Sequence, residues 1–290
     1  MATLLNIKHA KQFGGVRGRR ILAHTMSHLA LLFFTLIIVY PVIWFLLASL
    51  KSPGELSTNI WGIPSNPQFN NLVSAWNRAQ LGVSLTNSLI VSLSVVVIVV
   101  LFSSLAAYAL TRFHFRFATL IFLVFVFTMQ APTPMIPMYV MAVKLKLTNT
   151  YWGLILPAVA GGLPLSIFIF RAFFQTIPVD IMDAAKVDGC TDLNTYLQVV
   201  MPIAGPAVAT VSILQFVGAW NEYMLPLIMV RVPEYRTLPL AIQVFYNQWG
   251  QVEWPEVFAA LAIGTVPMII LYIIMQQQFI RGLTSGAVKG

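Results

Sequence analysis

The sequence predicts an all-α integral membrane protein with six transmembrane helices, on the strength of its composition, its charge-free intervals and its lack of strand-like alternation. Of 290 residues, 58% are hydrophobic and only 9% charged, against about 25% charged in an ordinary soluble domain. So few charges cannot cover the outside of a water-soluble fold with that much apolar mass, and the solvent has to be lipid. A bilayer core takes about 20 mostly apolar residues to cross as a helix. The mostly apolar intervals without Asp, Glu, Lys or Arg that reach this length are 21–50, 79–111, 117–143, 147–170, 193–221 and 257–280. A helix satisfies its own backbone hydrogen bonds where water is absent, and stretches such as 93–102 show none of the alternation a β-barrel strand needs.

The net charge of +8 does not point to nucleic acid, because the basic residues fall between the apolar runs, as they do in loops flanking membrane spans. With six spans, eleven of them (Lys8, Lys11, Arg17, Arg19, Arg20, Arg112, Arg116, Arg171, Lys186, Arg281 and Lys289) share the side of both termini. Six (Lys51, Arg78, Lys144, Lys146, Arg231 and Arg236) lie on the other. That bias places both termini in the cytoplasm. The first apolar run is too long for the core of a cleaved signal peptide, so it is expected as the first span, preceded by a basic leader (1–24) and opening a membrane domain at 25–290. The single cysteine, Cys190, excludes an internal disulfide. No phosphate-binding loop of the G-x-x-x-x-G-K-[ST] kind occurs, and His9, His24, His28 and His114 lack metal-ligand spacing.

The stretch between the fourth and fifth intervals, 175–202, is the most informative. Pro178 suits a first helical turn, and Asp180 and Asp183 complement the positive end of the helix dipole. Gly189, beside Asp188, fits the left-handed position that stops a helix. A second short helix is expected from about Thr191 to a break at Pro202. Ala184 and Ala185 are small enough to let another surface approach. The residues alone leave two readings open, a docking element and an ordinary ordered loop.

The pattern Asp183-Ala184-Ala185-x3-Gly189-x9-Val199-x-Met201-Pro202 resembles the E-A-A-x3-G-x9-I-x-L-P signature of binding-protein-dependent ABC transporter permeases, with every spacing kept. Asn87-Ser88-Leu89-Ile90, Ala107-Tyr108-Ala109-Leu110 with Arg112 and Phe113, Trp220-Asn221-Glu222-Tyr223 and the tail from Arg281 to Gly290 are similar to the carbohydrate-importing branch, in particular to maltose-type second permeases. The resemblance covers about residues 25–290. It implies the type I permease fold in a bacterial or archaeal cytoplasmic membrane, with 175–202 forming a cytoplasmic coupling helix that sits in a cleft of the ATPase. It also implies a second homologous permease, an ATPase dimer carrying ATP and Mg, and an extracytoplasmic solute-binding protein. The chain itself would hold no cofactor and catalyse no reaction. Tail residues Gly282, Thr284, Gly286 and Lys289 would contact the ATPase, a disordered terminus being the alternative. The implied cargo is a sugar or oligosaccharide.

Candidates for the solute path are polar groups in apolar runs. Gln215 lies near mid-depth of the fifth interval, where an uncharged amide suits a hydroxylated solute but could equally bond between helices. Glu222, with Asn221 beside it, is placed about 27 Å along that helix from Ala204, at its outer end. Gln130 opens a run with Pro132, Pro134 and Pro137 that must break regular helix, and broken helices often border transport cavities. Trp44, Trp152, Trp249 and Trp254 near span ends suit an interfacial aromatic belt or, alternatively, a sugar-stacking surface. Two rivals, an ion-driven transporter and a membrane enzyme, would need an intramembrane carboxylate relay or convergent titratable groups, and the sequence offers neither.

Overall fold

The computed structural model describes residues 2–113, 115–129, 134–246 and 252–287, with side chains described at 24–274 outside those breaks and at 276. Every described element is a helix: α1 (Ala2–Ala48), α2 (Pro53–Thr58), α3 (Asn70–Arg78), α4 (Leu81–Arg112), α5 (Ala118–Thr128), α6 (Met135–Lys144), α7 (Tyr151–Phe174), α8 (Val179–Val187), α9 (Asp192–Thr195), α10 (Met201–Ile203), α11 (Gly205–Trp220), α12 (Met224–Met229), α13 (Leu238–Ala241) and α14 (Trp254–Ala287). A π-helical turn, Tyr196–Val200, joins α9 to α10.

All six apolar intervals are helical, but they differ in form. Four helices are long and apolar enough to cross a membrane: α1 from His24, α4, α7 and α14 to Ile274. The segments Asp192–Ile203 and Gly205–Trp220 make a fifth span only if taken together across a 78° bend. The third interval is not one helix: α5 and α6 have 11 and 10 residues, each about 15–17 Å long against a hydrocarbon core of about 30 Å. Of the prolines expected to break this interval, Pro134 stands just before α6 and Pro137 lies within its first turn, while Gln130 and Pro132 lie outside the described residues.

The bundle is organised around α4, which packs most extensively on α7 and then α11. Val91, Val95 and Val99 are buried at four-residue spacing and meet Leu154, Ile167 and Phe170 of α7 and Val211 of α11 in one core. Small residues leave room for polar side chains to reach across between helices, as expected where lipid supplies no hydrophobic drive between them. At Gly162 of α7 a Cβ would lie 2.3 Å from Gln215 Oε1 of α11. By contrast α1 stands largely apart, with exposed side chains from Met26 to Ile43; its end is fixed by Trp44, which packs on Phe258 at 5.2 Å and donates to Ile60 O at 3.0 Å.

The end of the bundle away from α8 is closed by polar pins. Lys51 is buried (1% exposed) and its ammonium donates to Asn59 O (2.5 Å) and Ile60 O (3.1 Å), just past α2, where a cation suits the carbonyl end of a helix. Arg78 ties α3 to the start of α14 through Glu253 and, at 2.6 Å, Glu256. The hydrogen bond to Glu253 leads in raising the guanidinium above its already high value. Asn87 of α4 donates to Glu234 O (2.8 Å) and Arg236 O (2.9 Å) and accepts from the Tyr151 hydroxyl (2.7 Å). Ser88 accepts from Leu238 N–H at 2.8 Å. Ser92, one turn further, is fully buried and its hydroxyl has no partner among the described residues.

These two neighbours should respond oppositely. Asn87→Ala strands two carbonyls and a hydroxyl, and an unsatisfied buried group costs about 1–3 kcal/mol. Thermal unfolding in detergent should show a clear loss for Asn87→Ala and a neutral or stabilising effect for Ser92→Ala.

Candidate functional site

The 175–202 segment folds as two short helices around a glycine turn. α8 begins after Pro178, whose φ of −56° and ψ of 135° deliver the chain into the first turn. Asp180 stands in that turn, where its charge faces the positive helix end. Gly189 has a φ of +83°, the left-handed conformation that L side chains resist by about 1–2 kcal/mol. Its N–H donates to Lys186 O at 3.0 Å and that of Cys190 to Ala185 O at 2.9 Å, so two carbonyls of the last turn of α8 are satisfied. Thr191 then caps α9 by accepting from Asn194 N–H at 3.3 Å. The chain runs helically through Met201 and Pro202 and breaks at Ala204, two residues later than Pro202, just past the proline and the π turn, the two features that interrupt the regular hydrogen-bond ladder and bend a helix.

The two alanines have different roles. Ala185, with Met182, is buried against the bundle. Ala184 is exposed, together with Asp180, Ile181, Asp183 and Lys186, and Val187 is 87% exposed. A short helix thus rests on the bundle by one face and presents a mixed apolar and charged face outward.

Three side chains of α4, Ser104, Tyr108 and Arg112, hold this element in place. Arg112 pairs with Asp183 at 3.3 Å, Tyr108 OH donates to Asp192 O at 3.2 Å, and Ser104 and Tyr196 hydroxyls lie 2.8 Å apart. Sequence reasoning missed this contact set. Its signal was the four-residue spacing of three polar side chains at one end of an apolar helix, which puts them along one stripe.

The candidate path residues are placed as follows. Gln215 donates its amide to Ser166 Oγ (3.1 Å) and Gly162 O (3.3 Å) of α7, the interhelical alternative. Asn221, exposed just past α11, donates to Val217 O at 3.0 Å. Glu222 accepts from Leu225 N–H at 3.0 Å and so closes the first turn of α12. Of the tail, Gly282, Thr284 and Gly286 fall within the helical backbone of α14, and Lys289 lies outside the described residues. Among the described residues no group of three His, Cys, Asp or Glu side chains gathers as a metal site would need.

This arrangement, a helical membrane bundle carrying a short helix–glycine–helix element at one end, is that of an importer permease. The chain belongs to the family of binding-protein-dependent transport system inner membrane components, whose pattern matches residues 99–285. It is a multi-pass inner-membrane transport subunit and not an enzyme. It is 37% identical over 255 residues to the sulfoquinovosyl glycerol transport system permease protein SmoH of Agrobacterium fabrum, covering 87% of this chain and 89% of that one. It is 34% identical to the arabinooligosaccharides transport system permease protein AraQ of Halalkalibacterium halodurans (89% and 94% covered). To the trehalose/maltose transport system permease protein MalG of Thermococcus litoralis it is 30% identical (93% and 98%). The fold is shared with a chain of a bacterial ABC transporter involved in the import of the acidic polysaccharide alginate, at a TM-score of 0.78 and 23% identity, covering 91% of this chain and 98% of that one.

Because Gln215 joins α11 to α7, Gln215→Met should lower the thermal midpoint of the purified protein and leave the apparent KM for uptake within about twofold, the conservative Gln215→Asn being intermediate. A large KM change at unaltered stability would instead make Gln215 a solute contact.

Proposed function

We propose that this chain is one of two permeases of a carbohydrate importer, carrying a sugar or oligosaccharide released by an extracytoplasmic solute-binding protein. It pairs with a second homologous permease. The outward face of α8 docks on an ATPase dimer that holds ATP and Mg, and both termini lie in the cytoplasm. Six crossings of the bilayer, with α5 and α6 together making the third, fit this topology. The carrying observation is the α8–Gly189–α9 element in a member of this family. Its backbone turn is fixed by a left-handed glycine and its exposed face offers Val179, Ile181, Ala184 and Val187. The carbohydrate assignment is supported by the names of the relatives above, and the side of the termini by the excess of basic residues around α8 and the chain ends.

In mechanism, closure of the ATPase pair on ATP moves the cleft in which α8 sits. A short helix seated in a moving cleft passes on rigid-body motion, so the spans rock between access to one side and to the other. The chain itself breaks no bond. Its tail at Gly282, Thr284, Gly286 and Lys289 adds a second contact to the ATPase. The polar groups at the outer end, Asn221 and Glu222, are candidates to border the path, and Gln130 of the third interval is a further one.

Two experiments test this reading. Purification of the tagged chain from native membranes in mild detergent should recover a second permease and an ABC ATPase, and labelled sugars from a panel of oligosaccharides should enter cells in a manner dependent on the chain. Recovery of the chain alone, in a detergent that preserves such complexes, would contradict it. Gly189→Pro removes the N–H bonded to Lys186 O and forbids the positive φ; it and Gly189→Val should abolish uptake and solute-stimulated ATP hydrolysis. Gly189→Asn, which tolerates the left-handed region, should retain a substantial part of both. Normal stimulated hydrolysis in Gly189→Pro would remove the coupling role from this loop.

A further inference from the structure

We propose that α4 is the rod that links the ATPase-docking element to the extracytoplasmic loop, through hydroxyl and amide clamps at its two ends. The inference rests on the functional reading above and goes beyond it in naming the span and side chains that carry the coupling.

At the cytoplasmic end, the four-residue stripe of α4 reaches three successive points of the docking element. Arg112 takes Asp183 in α8, Tyr108 takes the Asp192 carbonyl at the start of α9, and Ser104 takes Tyr196 at the start of the π turn. The Ser104 hydroxyl also donates to Val100 O at 2.5 Å, so its one hydrogen is used and Tyr196 is the donor in the pair. The bond is buried, where a hydroxyl pair is shielded from competing water. Tyr108 and Tyr196 rings pack at 5.3 Å. At the other end of the same helix, Asn87 and Ser88 hold the backbone at Glu234, Arg236 and Leu238. Sixteen residues separate Ser88 from Ser104, about 24 Å along the axis, and the helix between them is continuous.

The alternative carrier is α11, which follows the docking element in sequence. It is joined by a π turn, a form that interrupts regular helix and is common at functional sites. A 78° bend at Ala204 follows. An articulated joint absorbs displacement, whereas α4 is gripped by side chains ahead of that joint and at its first residue, Tyr196. Movement of α8 and α9 is therefore delivered to α4 and appears at 234–238. By reciprocity, docking of a binding protein on that loop biases the docking element.

The test uses the complete reconstituted importer in proteoliposomes, with its ATPase, second permease and solute-loaded binding protein. Tyr196→Phe is the primary variant because it removes one hydroxyl and leaves Ser104 bonded to Val100 O. In Tyr196→Phe, Ser104→Ala and the double variant, stimulation of hydrolysis by the loaded binding protein, measured per ATPase recovered in the complex, should fall at least fivefold. The double variant should be no worse than the poorer single, as one shared bond requires. Ser88→Ala, at the far clamp, should lose stimulation in the same way. Should Ser104→Ala fail to assemble, Tyr108→Phe carries the test, since it loses only the bond to Asp192 O and keeps its ring. Stimulation within twofold of normal in Tyr196→Phe and Tyr108→Phe overturns the proposal, as does a double variant whose losses multiply. An unaltered chain that recruits no ATPase overturns the functional reading first, and this inference with it.

Discussion

Between two helices in lipid the hydrophobic effect has little to offer, because the surrounding chains are as apolar as leucine; close packing of small residues and interhelical hydrogen bonds have to hold the bundle. The structure follows from that constraint. Glycine at 162 lets the Gln215 amide reach across from α11 to α7. Serines along α4 stay within the span because hydroxyls such as those of Ser103 and Ser104 return to the carbonyl four residues back, a local solution that leaves them free to accept a second partner. Where a second partner exists, as Tyr196 for Ser104, it fixes one element on another. Polar groups are therefore scarce, and most of those that remain are joints.

The joints fall at the two ends of the bundle, and the ends differ in kind. Away from α8, buried Lys51, the Arg78 pairing with two carboxylates and the Asn87 knot bind loops firmly to helices. Around α8 the contacts are single and partly exposed: Asp183 is 60% exposed in its pair with Arg112, and Lys186 stands 3.9 Å from Asp192. An exposed ion pair contributes up to about 1 kcal/mol, so α8 is positioned by the chain without being locked to it. Such an element can be taken up by a partner and moved.

Much of this was legible in the sequence because it depends on local chemistry. Charge-free intervals located the helices, Pro178 and Gly189 located the limits of α8, and Thr191 its successor, since dihedral preference and capping act within a few residues. The third interval does hold two helices, each too short to cross alone, and Pro137 sits inside the second of them. What escaped sequence reading depends on distant partners. Asn87 meets residues 147 and 149 positions away, Tyr196 meets Ser104 across 92, and nothing near Ala185 says that it faces the bundle while Ala184 faces outward. Gln215 had two readings for the same reason: an amide in a span announces a hydrogen bond but not its partner.

The central claim is that α8 and its glycine turn form the surface on which an ATPase docks. The chain has a single cysteine, and it lies in that turn, partly exposed. The rate of maleimide labelling of Cys190 should therefore be compared between the isolated chain and the assembled importer with no residue altered. Labelling that slows at least tenfold on assembly, and recovers when the ATPase is stripped away, is the predicted result. Equal rates in the isolated chain and in an importer shown to contain its ATPase would contradict the account.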